Sequence, residues 1–133
     1  SHTDWDLPRK MKREYHDFFK NNILEGYSKN LIEKFKFQKF QTQDMWFQIY
    51  KENDRHGLHT HAGSHFTNVF YVQLPNKNVK TRIISVGGEE LDLNVEEGDI
   101  LTFPSFYTHE SPENKNKEEK IIISFNIDIY YNF

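Results

Sequence analysis

Residues 96–114 read EEGDILTFPSFYTHESPEN, and this pattern belongs to a β protein. Gly98-Asp99 is a turn signal, and ILTF is a short apolar run. Pro104 ends that run because proline has no N–H to give to a sheet, and His109 follows five residues later. The same texture extends to both sides. From residue 44 on, MWFQIY, HFTNVFYVQL, VKTRIISV, EELDLNV and KIIISFNIDIYY are short, β-branched and aromatic. Turn signals such as Gly87-Gly88 separate them, and PENKNKEE reads as a solvated loop. Hardly any helix fits between them, so this part predicts an antiparallel sandwich or barrel.

Residues 1–43 read differently. Asp6 before Leu7-Pro8 is a candidate N-cap with proline in the first turn. Met11, Tyr15, Phe18, Phe19 and Ile23 follow at helical spacing, and Leu31, Ile32, Phe35 and Phe37 repeat it. The expectation is one domain over 1–133: a helical N-terminal segment, 1–43, packed on a mainly β core, 44–133. Such aromatic stripes are packing faces before they are ligand sites.

Composition removes several classes of function. The 133 residues contain no cysteine, so disulfides, zinc-thiolate sites, iron–sulfur clusters and a cysteine nucleophile are excluded. A metal site here must use His, Asp and Glu. The net charge of −3 argues against a nucleic-acid partner held by bulk electrostatics. No run approaches a membrane span and no signal peptide is evident, so the expectation is a cytoplasmic protein without a membrane partner. Apolar residues are only 36%, but aromatics reach 16%, so a few large side chains bury most of the area. A homo-oligomer stays open.

Four of the seven histidines, His56, His59, His61 and His65, lie within ten residues. On a strand, residues i and i+2 project from the same face, so His59 and His61 can reach one point. A metal is the common reason to bring neutral imidazoles together. Two ligands rarely suffice, and the third candidate is His109. Read alone, His109 is a turn residue and HGLHTH a His-rich loop; read together in a β chain without cysteine, they favour a metal.

HTHAGSHFTNVFYVQLP and GDILTFPSFYTHESPEN…EKIIISFNI, spanning roughly residues 44–128, resemble the small Fe(II)/2-oxoglutarate oxygenases of the prolyl-hydroxylase-like group, particularly those of marine phages and bacteria. The second block is the more specific. The resemblance implies a double-stranded β-helix, a jelly-roll or cupin-like barrel, with the N-terminal helices packed on it. It implies Fe(II), 2-oxoglutarate and O2 as cofactor and co-substrates. The ligands would be His59, His61 and His109. His61 falls where the family usually carries the carboxylate of its 2-His-1-carboxylate triad. All-His Fe(II) sites do occur in cupin-type dioxygenases.

The co-substrate's far carboxylate needs a buried cation, usually an Arg six residues before the Asn of SFN; here that position is Lys120. Lysine offers a point charge where arginine grips bidentately. Period two puts Lys120, Ser124 and Asn126 on one strand face, either a wet face or the lining of the barrel mouth. Arg82 is the reserve cation. Thr67 and Tyr71 share a face with His65, and Tyr71 is either a co-substrate ligand or a core aromatic. His65 is a surface residue at the strand start, a fourth ligand or a donor that orients a ligand, and His56 belongs to a loop or substrate rim.

The resemblance implies a hydroxylase acting on a peptide, prolyl by analogy, or on a small molecule. Two rivals stand beside it. One is a cupin-like metalloprotein without 2-oxoglutarate: Gly98, Pro104 and His109 fit the second cupin motif, although Phe106 replaces its glycine. The other is a structural or interaction protein with a vestigial metal site. No loop names a substrate; Trp46, Tyr50, Phe106 and Tyr107 are candidates for its floor.

Overall fold

The computed structural model describes residues 2–61 and 63–131. The described residues form two antiparallel sheets and one helix. The five-stranded sheet runs β1 (His2–Thr3), β2 (Lys39–Tyr50), β9 (Lys120–Tyr130), β4 (Phe66–Gln73), β7 (Ile100–Pro104). The four-stranded sheet runs β3 (His56–His59), β8 (Thr108–Ser111), β5 (Arg82–Ile84), β6 (Glu90–Leu91). Among the described residues no helix is long and apolar enough to cross a membrane.

Strand periodicity decides what faces what. On β9, Ile123, Phe125, Ile127 and Ile129 point to the outer face, where Phe19 and Leu24 of the helix close a core with Met45. Lys120, Ile122, Ser124 and Asn126 point to the inner face, between the sheets. The register sets Tyr50 beside Lys120, Trp46 beside Ser124 and Asp44 beside Asn126. On the other side of β9, Thr67 stands beside Asn126 and Val69 beside Ser124. The inner core of Tyr50, Val69, Tyr71, Ile83, Leu101 and Phe103 fills the space between the sheets.

The EEGD turn positions β7 as the sequence suggests. Gly98 has φ +91°, a backbone conformation that favours glycine, and Asp99 accepts from the Glu96 N–H at 2.8 Å. Gly98 N donates to the Tyr71 carbonyl at 2.8 Å, which ties the turn to β4.

The N-terminal segment departs from expectation. The helix begins at Glu14, not beside Asp6 and Pro8, and runs as α1 (Glu14–Phe19), a π turn (Lys20–Leu24) and α2 (Glu25–Phe35). The π turn inserts a residue and re-aims the stripe. Phe19 and Leu24 are buried, while Met11, Phe18 and Phe35 are exposed. The segment then ends in strand, since β2 starts at Lys39. The strands expected in VKTRIISV and EELDLNV shrink to Arg82–Ile84 and Glu90–Leu91.

Residues 4–13 form a strap over the end of β2, and Asp4 holds it. Asp4 is 2% exposed. Its carboxylate accepts from the Phe47 N–H at 2.9 Å and the Tyr15 hydroxyl at 2.6 Å, with the Arg13 guanidinium 2.8 Å away. Removing one partner of such a buried pair leaves the others uncompensated. Asp4→Ala is therefore expected to cost about 3 kcal/mol in urea unfolding. A loss within ~0.5 kcal/mol would show that the strap is not held this way.

Candidate metal centre and the pocket behind it

His59 ends β3 and His109 sits opposite it on β8, paired in register. His61 lies two residues beyond His59, its N–H donating to the Ser105 carbonyl at 3.1 Å. One ring nitrogen from each of the three can be chosen so that all lie within 4.8 Å of one another.

What holds the rings decides their chemistry. His59 Nδ1 lies 2.7 Å from the Gly57 carbonyl, His109 Nδ1 3.2 Å from the Tyr107 carbonyl, and His61 Nδ1 2.9 Å from Asn126 Oδ1. Those oxygens only accept, so each Nδ1 carries the hydrogen. Each Nε2 of the neutral rings is then left with its lone pair. Burial, reinforced by the neighbouring imidazoles, pushes His109 down to about 3 and lowers His61, so both stay neutral near pH 7. Three neutral imidazoles, each with a lone pair free and with a ring nitrogen apiece within 4.8 Å of the others, are a donor set for a divalent metal. The residues present therefore fit the metal expected from sequence.

Thr67 donates to Asn126 Oδ1 at 3.0 Å and lies 2.9 Å from Ser105 Oγ, so Thr67 and Asn126 together orient His61. His56 stacks on His59, ring centroids 4.0 Å apart. Trp46 stacks on His61 at 5.5 Å. These two rings flank the cluster on both sides.

Lys120 is fully buried on the same inner face. Its Nζ donates to Ser111 Oγ at 2.8 Å and lies over the rings of Tyr50 (5.2 Å) and Tyr71 (5.9 Å). No carboxylate pairs with it among the described residues, and burial lowers its pKa to about 7. A cavity of ≈ 30 Å³ lies between His109, Ser111, Tyr50 and Ser124. Sequence reasoning passed over Ser111, whose only signal was its place two residues beyond His109.

Other expected residues fall elsewhere. Tyr71 donates its hydroxyl to Thr81 Oγ1 at 2.9 Å and accepts from the Thr81 N–H at 3.1 Å, so its hydrogen bonds are met within the core. Arg82 is opposite Glu110, on the strand face away from Ile83 and His109, and pairs with Glu90 and Glu110. It does not face the histidines. His65 lies at the rim with its Nδ1 accepting from the Ile129 N–H at 2.9 Å, outside the cluster. Phe106 is exposed.

No protein-family model and no curated protein matches this sequence. Solved structures do match. One is described as an oxidoreductase of the 2OG-Fe(II) oxygenase family from Burkholderia pseudomallei, with TM-score 0.73 at 9% identity over 85% of this chain. A Pseudomonas putida prolyl-4-hydroxylase follows, with TM-score 0.62 at 13% identity over 95% of this chain and 70% of that one. The viral collagen prolyl hydroxylase of Paramecium Bursaria Chlorella virus-1, in its 2OG complex, gives 0.58 at 13% identity over 92% of this chain and 78% of that one. At these identities the likeness is one of fold. The chain spans 57% of the length of the Burkholderia protein.

Proposed function

We propose that the protein is a non-haem Fe(II)- and 2-oxoglutarate-dependent oxygenase built on a double-stranded β-helix. Its substrate would be a peptide, prolyl by analogy, or a small molecule. His59, His61 and His109 would hold the iron. When bound, iron would supply the coupling of 2-oxoglutarate oxidation by O2, giving succinate and CO2, to insertion of one oxygen atom into substrate. The chain's own part is to aim three imidazoles through Gly57, Tyr107 and Asn126, to shield the site with Trp46 and His56, and to offer Lys120 to the co-substrate's far carboxylate.

One observation carries this reading: the Lys120 amine, buried on the inner face with a hydroxyl, two aromatic faces and, among the described residues, no acid. A buried charge without a partner is costly, so its retention calls for an anionic ligand. A second reading nevertheless has an observation of its own: the ≈ 30 Å³ cavity holds one or two waters rather than a five-carbon diacid, so side chains such as His56 must move to admit one.

The two separate in one experiment. The protein is loaded anaerobically with Fe(II) and titrated with 2-oxoglutarate while the visible absorption is followed. A charge-transfer band from the chelated keto acid is expected. Iron binding without a band supports the cupin-like reading, and no iron binding supports the vestigial one.

A further inference from the structure

A groove of ≈ 520 Å³ opens outward from the histidines. Its walls include His59, His61, Trp46, Trp5, Arg9 and Asp44. A second hollow of ≈ 430 Å³ shares Trp5, Arg9, Asp44 and Trp46 with it and adds Lys20 and His16. The two are therefore parts of one trough, with the histidines at one end, Lys20 and His16 at the other, and Arg9 and Asp44 in the stretch they share. Trp46 lies between them, stacked on His61 and met edge-on by Trp5 at 4.6 Å.

The charges along the trough do not cancel. Asp4 is taken by Arg13, Tyr15 and the Phe47 N–H. Among the described residues Asp44 is paired only with Arg9, at 3.4 Å, and the Arg9 side chain is 84% exposed, a loose pair that an incoming anion can exchange. Lys20 makes no ion pair among the described residues. The buried Nε2 of His16 has no hydrogen-bond partner among them.

Building on the oxygenase reading, we infer that the trough selects an anionic substrate. A ring-sized apolar body packs against the half-exposed Trp5 beside the buried Trp46, and a carboxylate or phosphate reaches Arg9 and Lys20. The exposed Trp5 indole supplies area, and Arg9 and Lys20 set orientation and charge preference.

The chain contains two tryptophans, Trp5 and Trp46, and both line the groove, so their two indole N–H resonances report on it directly. The probes share one ring system: 2-naphthoate, 2-naphthyl phosphate, 2-naphthylmethanol and 2-naphthylmethylamine. Each is titrated into metal-free and Zn(II)-loaded protein. Both anions are expected to bind roughly tenfold tighter than the alcohol, with the amine weakest. The ratio of carboxylate to phosphate affinity tells which group is preferred. Arg9→Glu with Lys20→Glu should abolish the preference while leaving Zn(II) affinity unchanged, and Asp44→Asn should strengthen it.

Three results would overturn the inference. One is equal binding of anion and alcohol, or no binding of any probe at millimolar concentration. Another is a preference untouched by the double charge reversal. The third is a preference seen only with Zn(II) present, which would make the metal itself the anion's receptor. The titration uses neither iron nor 2-oxoglutarate. Failure of the oxygenase reading would appear separately, as a missing charge-transfer band with the anion preference intact.

Discussion

His109→Ala is expected to abolish metal binding while leaving the fold in place. At a metal concentration one hundred times the dissociation constant, a bound ion stabilises the wild-type protein by about 2.7 kcal/mol, or roughly 10 °C in Tm for a domain of this size. The variant should show none of that shift with Fe(II) or Zn(II). Its metal-free form should stay folded, because what His109 contributes is ring contacts to Phe103, His59 and His61 and one long bond to the Tyr107 carbonyl. His56→Ala is the control. It removes a ring stacked on His59 but no member of the triad, so the metal shift should survive. His61→Asp should also bind metal, since it restores the carboxylate that the oxygenase resemblance leads one to expect there. Acid titration adds an independent check. His109 is held at about 3, against 6.5 for an ordinary imidazole. Below 6.5 the unfolded chain therefore takes up a proton that the native state refuses until about 3. The metal-free wild type must lose stability as pH falls through that window, and the variant should lose less. Full iron occupancy in His109→Ala would remove the metal centre as assigned.

The residues of this centre were legible because strand geometry is local. The i, i+2 spacing of His59 and His61 marks them as a pair, although β3 ends at His59 and His61 is held beyond it by its N–H bond to the Ser105 carbonyl. The parity of Lys120, Ser124 and Asn126 against Ile121, Ile123 and Phe125 tells which face of β9 is inside once its ends are known. Parity could not tell whether that inside face is wet or sealed, because the answer depends on the second sheet and on Tyr50, Tyr71 and Ser111 closing around the amine. The same limit hid Arg82. Its strand was recognised, but the acids that take it, Glu90 and Glu110, come from the strands on either side. Upstream, Asp6 and Pro8 carry a valid helix-start signal, yet the chain spends residues 4–13 on the strap. Asp4 finds the Phe47 N–H, Tyr15 and Arg13 there, and that tertiary pairing overrides a local cap. The π turn left no mark on the apolar periodicity, so Phe18 reads as core and is exposed, while Leu24 was not singled out and is buried.

Lys120→Met should separate what the amine does for the fold from what it does for the site. The folded-state value of about 7 lies well below the 10.5 of a free lysine. Between those values the unfolded chain holds a proton that the native protein lacks, so native stability falls as pH drops from about 10.5 to 7 and then levels off. Among the described residues no counter-charge offsets this, because the groups facing the amine are the Tyr50 and Tyr71 rings and the Ser111 hydroxyl. Methionine matches the stem and removes the amine. The metal-free variant is expected to be more stable at pH 7, by on the order of 3 kcal/mol, with the gain vanishing as pH approaches 10.5. The 2-oxoglutarate dissociation constant should rise by about 100-fold or more, since the co-substrate's far carboxylate would then be buried unpaired. In the wild type, that carboxylate should pull a proton onto the half-neutral amine. Affinity should therefore fall as pH rises above 7, and the methionine variant should lack that dependence. A variant stabilised as expected but with unchanged 2-oxoglutarate affinity would free Lys120 of any anchoring role. A destabilised variant would mean that Ser111 and the two tyrosine rings compensate the charge by themselves, and the case for an anionic ligand would lose its main support.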